Sequence, residues 1–261
     1  VAENRNAAKW LRPFLGADEF INGLTRWCLW LKDCPPAELR ALSGVLRRVA
    51  NVKAYRAGSR RETTRRLADM PTRFGEERQP AGPYVMIPRH SSERRAFIPI
   101  GFLEAEVICG DANMLIADAG LYEFGILTST MHNAWVRYTC GRLESRYRYS
   151  AAIVYNNFPW PDAPTDAQRA AVEAAAQVVL DARAQFPGST PADLYDPLTM
   201  PGALLKAHHR LDAAVDAAYG KKAHAFKTDA ERVAFLFEQY QRLTSLLPAA
   251  APVKRRRRLS A

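Results

Sequence analysis

Residues 141–150 read Gly-Arg-Leu-Glu-Ser-Arg-Tyr-Arg-Tyr-Ser, an alternation of arginine and tyrosine that begins beside one carboxylate, Glu144. At a strand's two-residue period the guanidinium groups point to one face and the phenol rings to the other. Those residue types can read nucleic-acid base edges, because arginine donates to guanine O6 and N7 while glutamate accepts from the cytosine amino group. A polar edge strand with inward tyrosines has the same spacing, so on spacing alone both readings stay open.

A basic surface upstream could hold the phosphates beside such a reader. Arg56, Arg60, Arg61, Arg65 and Arg66 fall in one run. On a continuous helix Arg56 and Arg60 share a face, as do Arg61 and Arg65, a ladder suited to contacts that position a protein on a duplex without reading it. Arg94 and Arg95 extend the same role into residues 88–95, read as a polar, basic loop projecting from a sheet.

The surrounding elements follow from pattern. Residues 26–31 (Arg-Trp-Cys-Leu-Trp-Leu), after the turn pair Asn22-Gly23, read as a strand. Pro35-Pro36 starts a helix with Leu39, Leu42, Leu46 and Val49 on one face. Short β segments are expected at 84–87, 96–102, 105–109 and 113–117, separated by Pro, Gly, Asp and Asn. From Glu123 the period becomes helical, with Leu127, Met131, Ala134, Trp135 and Tyr138 on one face up to Cys140-Gly141.

Behind Pro164 three helices are expected. Thr165 with Gln168 caps the first, striped by Val172, Ala176, Val179 and Leu180. The second runs from Pro201 towards Gly220 and buries Leu204, Leu211 and Val215. Thr228 with Glu231 caps the third, striped by Val233, Leu236, Phe237, Tyr240 and Leu243. Residues 155–161, rich in aromatics and proline, are expected to wedge the sheet against these helices.

Composition narrows the function classes. A chain of 261 residues with 48% hydrophobic content can bury one sizeable core or two smaller ones. Lys and Arg number 37 against 27 Asp and Glu, a net +10, with arginines dominating residues 40–95 and carboxylates outnumbering bases over residues 162–216, as expected of a polyanion-binding front on a more ordinary rear. No apolar run approaches a membrane span, so a cytoplasmic location and no membrane partner are expected. The chain opens on Val1 in sequence that looks internal, which implies a piece of something longer.

Four scattered cysteines without a C-x-x-C pair, and histidines without a partner motif, argue against a metal site. The glycine-rich cofactor loops, the P-loop and the common hydrolase signatures are missing from the sequence. Asn157-Phe158-Pro159-Trp160 holds the letters of the adenine-methyltransferase Asn-Pro-Pro-Tyr/Phe motif in the wrong order. No catalytic residue, cofactor site or metal site is expected in this chain.

Four stretches carry a resemblance: Tyr84-Val85-Met86-Ile87-Pro88-Arg89-His90-Ser91-Ser92-Glu93-Arg94-Arg95, Met131-His132-Asn133-Ala134-Trp135-Val136-Arg137, Tyr147-Arg148-Tyr149-Ser150 and Tyr155-Asn156-Asn157-Phe158-Pro159-Trp160-Pro161. With Asp193-Leu194-Tyr195-Asp196-Pro197-Leu198-Thr199-Met200-Pro201 behind them, the chain resembles the C-terminal portion of MmeI-like (type IIL) restriction-modification DNA methyltransferases.

The resemblance implies an α+β fold. A small mixed or antiparallel sheet with flanking helices forms a target-recognition domain over 1–161, an all-helical C-terminal domain covers 162–247, and a disordered basic tail covers 248–261. It implies that an S-adenosylmethionine-dependent adenine-N6 methyltransferase, with or without an endonuclease, lies elsewhere on the polypeptide. Double-stranded DNA and the rest of that polypeptide are the implied partners. Position by position it points to Arg89, Asp111, Ala112, Glu144, Arg146 and Arg148 as base readers. Relatives commonly carry a lysine and an aspartate in place of Glu144 and Arg146. The competing reading is a basic protein-interaction or scaffold fragment without base-specific readout.

Overall fold

The computed structural model describes residues 5–245; the basic tail expected over 248–261 lies outside them. A 3-10 turn, Arg5–Trp10, leads into β1 (Leu11–Leu15), α1 (Ala17–Asn22), β2 (Trp27–Leu29), α2 (Pro36–Ala41), α3 (Ser43–Ala57) and α4 (Glu62–Arg66). The middle of the chain holds β3 (Tyr84–Pro88), β4 (His90–Ser91), β5 (Gly101–Leu103), β6 (Ile108–Cys109) and β7 (Asn113–Ala117), then α5 (Leu121–Thr128), α6 (Thr130–Thr139), β8 (Gly141–Leu143) and β9 (Arg146–Arg148). A π-helical turn, Ala151–Tyr155, precedes α7 (Asp166–Ala184), α8 (Pro191–Leu194), α9 (Gly202–Ala218) and α10 (Asp229–Thr244). The class is α+β as expected, with an all-helical rear.

The front carries three small sheets, ordered β2-β1-β6, β5-β3-β7 and β4-β9-β8. The first is mixed, since β1 runs antiparallel to β2 and parallel to β6. The other two are antiparallel.

Two expected helices are broken where one side chain has a better use than continuing the turn, and the arginine run is split at a glycine. Leu42 leaves the helical region at φ −104°, ψ 73° and buries itself in a small core with Leu31 and Val45, so the helix from Pro35 becomes α2 and α3. Gly58 closes α3, and the arginine run is thereby divided between α3, a turn and α4. Ser129 adopts extended backbone, and its hydroxyl accepts from the His132 amide to cap α6. Asp212 on α9 accepts from both the Thr130 amide, at 2.7 Å, and its hydroxyl, at 2.6 Å. The apolar phase survives that break, for Leu127, Met131, Ala134 and Trp135 are all buried, whereas Tyr138 turns to solvent.

Only Gly101–Leu103 of the expected strand at 96–102 pairs in a sheet. Upstream, side chains take the backbone groups instead. The Ile98 amide donates to Asn133 Oδ1 at 2.9 Å, the Ile100 carbonyl accepts from Arg183 at 2.6 Å, and the Ala96 carbonyl accepts from Arg137. These backbone groups are satisfied without a strand partner.

One continuous hydrophobic core runs from Val85 and Ile87 of β3 through α5 and α6 into α7, α9 and α10. A glycine at 125 permits it, because a Cβ there would stand 2.8 Å from a Val172 methyl of α7. Phe158 packs edge-on to His132, Trp135 and Trp160, and the Tyr219 hydroxyl of α9 donates to the Pro159 carbonyl at 2.8 Å. Residues 155–161 are therefore the wedge the aromatics and prolines predicted. On α10, Val233 and Leu236 are buried as expected, while Phe237 and Leu243 are exposed and Phe235 is buried in their place.

Candidate nucleic-acid interface

The hairpin β8–β9 turns through Glu144 and Ser145, since Leu143 pairs with Arg146 across it. Glu144 sits at φ 56°, the left-handed region such short turns demand. Directly opposed residues of an antiparallel pair point the same way. Leu143 and Arg146 therefore share a face with the next row, Gly141, Arg148 and His90. The other side holds Tyr147 and Ser91, both buried, and Arg142.

The alternation thus behaves as expected for Arg146 and Arg148 against Tyr147. It fails for Arg142, because the turn reverses the phase. Arg142 lies over the Tyr147 ring, 4.2 Å from its centroid, and donates to the Ser145 and Arg137 carbonyls at 3.0 and 3.3 Å. It fastens the turn to the end of α6. Beneath, the Tyr149 hydroxyl meets His132 Nε2 at 2.9 Å and anchors the hairpin in the core.

Backbone pairing brings the remaining positions to this edge. The expected projecting loop at 88–95 is instead tied down, with His90–Ser91 forming the strand β4 against β9. The Arg89 amide donates to the Ala112 carbonyl at 3.1 Å, and its carbonyl accepts from the Tyr149 amide at 2.7 Å. Arg89 therefore bridges the 111–112 turn and the chain leaving the β8–β9 hairpin. Asp111, Glu144, Arg146 and Arg148 are exposed, and Arg89 and Ala112 are half-buried. Burial first, then the charges of Arg148, Arg146 and Arg89, holds the His90 imidazole below its usual range, so three guanidinium groups converge around it. Glu144 and Arg146 form an ion pair at 2.7 Å, open to water on both sides.

The basic run is less uniform than its sequence. Arg56 donates to the carbonyls of Leu67, Met70 and Arg73 at 2.7–3.0 Å, and Arg65 to those of Ser59 and Arg60. Arg66 pairs with Glu62. Arg60, Arg61 and Arg94 are exposed, with no side-chain partner among the described residues. Arg95 is half-buried, and that burial lowers its guanidinium pKa, opposed by the charge of Asp196. Replacing Arg56→Ala is expected to lower stability by about 1–3 kcal/mol, because three carbonyls lose a charged donor. The salt dependence of DNA binding should not change. A slope reduced by about one, with stability intact, would instead make Arg56 a phosphate contact.

Among the described residues no group of three His, Cys, Asp or Glu side chains is placed to hold a metal, and no helix is long and apolar enough to cross a membrane. His132 and His208, which lacked a partner motif in the sequence, are core residues. Sequence reasoning passed over His90 and Leu143 on the face that carries Arg146 and Arg148; only the strand register, which needs the turn position, reveals them.

Residues 1–162 match the family described as MmeI, target recognition domain, and residues 164–248 match MmeI, C-terminal domain. DNA methyltransferase A of Bacillus subtilis (strain 168) is 37% identical over 235 residues, 90% of this chain and 26% of that protein. A chain in a structure of the Type IIL restriction-modification enzyme MmeI in complex with DNA is 48% identical with a TM-score of 0.90, covering 94% of this chain and 32% of that one. This chain thus spans 26% and 32% of the lengths of these two relatives. It belongs to the MmeI family, of which it carries the target recognition and C-terminal domains.

Proposed function

We propose that this chain is the sequence-specific double-stranded DNA recognition module of a bacterial restriction-modification adenine-N6 methyltransferase whose catalytic domains lie outside it. The observation that carries the reading is the exposed face of the β4-β9-β8 sheet, where Arg146, Arg148 and the Glu144 turn stand beside Arg89 and the 111–112 turn. The DNA in the related MmeI structure supports it.

Glu144 accepts from a cytosine amino group while Arg146 holds the paired guanine, with Arg89, Asp111, Ala112 and Arg148 reading neighbouring pairs. The Glu144–Arg146 ion pair is exposed and worth about 1 kcal/mol or less, so base edges displace it readily. Arg60, Arg61 and Arg94 contact phosphate and set the register. The recognition domain takes residues 1–161 and the helical domain 162–247, sharing one core that keeps the reading face fixed to the rear helices. The rest of the polypeptide binds S-adenosylmethionine and extrudes and methylates the adenine, in the cytoplasm.

The test is competition on the full-length protein between duplexes carrying its methylated word and scrambled duplexes at fixed salt. A preference on the order of 1,000-fold is expected. Equal competition would leave only the basic interaction-fragment reading.

A further inference from the structure

We propose that Leu143 is a further specificity determinant, making an apolar contact to the 5-methyl group of a thymine next to the base pair that Glu144 and Arg146 contact. The inference rests on the DNA-recognition reading above and adds a chemical group to it.

Three observations converge on this residue. The strand register places Leu143 on the side of the hairpin that bears Arg146, Arg148 and His90, opposite the side that Tyr147 and Ser91 bury. Leu143 is 45% exposed and belongs to neither hydrophobic core, so it is left uncovered among the described residues. Its position is also held. Arg142 ties the turn to α6 through the Ser145 and Arg137 carbonyls, and the left-handed Glu144 leaves the tip one conformation.

The chemistry of the surroundings selects the occupant. The guanidinium groups of Arg146 and Arg148 on the same face as Leu143 draw it to a polyanion and carry it to base edges. In the major groove those edges are donors and acceptors, and the one apolar group among them is the thymine 5-methyl. A leucine carried in beside Arg146 loses its water there. A pyrimidine without the methyl leaves it facing a gap.

Full-length protein is titrated against duplexes bearing its word in which each thymine of the word and its two flanking pairs, on either strand, is replaced singly by deoxyuridine. One replacement should weaken the wild-type protein about fourfold, the equivalent of about 0.8 kcal/mol for one buried methyl group. Leu143→Ala should bind the thymine duplex about as weakly and be indifferent to that same replacement, while Leu143→Met keeps the sensitivity. The position is exposed, so these variants are expected to fold as the wild type does, and thermal unfolding of each checks it. The inference is overturned if no replacement affects the wild type, if the word offers no thymine, or if Leu143→Ala retains the whole penalty. Persisting discrimination between cognate and scrambled duplexes would then spare the recognition reading; loss of all discrimination would remove that reading first.

Discussion

Exchanging the two charges of the hairpin tip, Glu144→Lys together with Arg146→Asp, is expected to move one position of the recognised word from C to G. Both positions are exposed and the swap keeps an ion pair across the turn, so folding is preserved. The donor and acceptor trade places, and their complement is then the inverted base pair. A good base contact carries about 1–3 kcal/mol of discrimination. Two contacts exchanged together should change the relative preference for the two pairs by on the order of 100-fold or more. Either single variant should weaken binding without inverting it, since each leaves one charge facing its like. The measurement is methylation of matched duplexes by the full-length double variant, and unchanged specificity would reject the assignment.

A second large effect concerns acid. His132 and His208 have no exposed surface. Burial pushes the His132 imidazole down to about 3 and holds His208 well below its usual range, the latter also repelled by Arg183 and His209. Each ring has one paired nitrogen, to the Tyr149 or the Tyr195 hydroxyl, while Nδ1 has no partner to receive a charge. Both remain neutral in the fold while the unfolded chain protonates below about pH 6.5. Folding stability is therefore full above that pH and falls as the pH drops towards the depressed values. The slope is about 1.4 kcal/mol per pH unit for each histidine.

Together they should remove roughly 4 kcal/mol between pH 7 and pH 5, a large share of an ordinary domain's stability. Burial raises Asp212 and Asp216, whose contribution runs the other way, being present at low pH and lost as the pH rises through their folded values. The histidines act over the interval from pH 6.5 to pH 5. Denaturant unfolding across this interval is the check. His132→Gln should be less stable at pH 7 yet lose about half the slope, and a variant with the full slope would refute the assignment.

The same histidines show how far the residues could be read in advance. His132 lies within the stretch from Met131 to Arg137, which was legible as one face of a helix and as part of a family resemblance. What the stretch does with its polar groups was not. Asn133 satisfies the Ile98 amide, Trp135 Nε1 donates to the Val154 carbonyl at 3.1 Å, and Arg137 pairs with Asp229 on α10. Their partners lie up to 92 residues away, beyond any local pattern. Likewise, Arg56 and Arg60 were equivalent as letters, but one closes a loop on three carbonyls while the other is exposed, with no side-chain partner among the described residues.

Local chemistry determined the caps at Thr165 and Thr228, the turn at Asn22-Gly23, the apolar stripes of α7 and α9, the basic front and the absence of a catalytic signature, because each depends on neighbours within a turn or two. Tertiary structure alone decided which arginines face outward, where helices break at Leu42 and Ser129, and that Leu143 shares a face with Arg146. Those outcomes depend on the competition for buried space and buried hydrogen-bond partners, which is settled between segments distant in the chain.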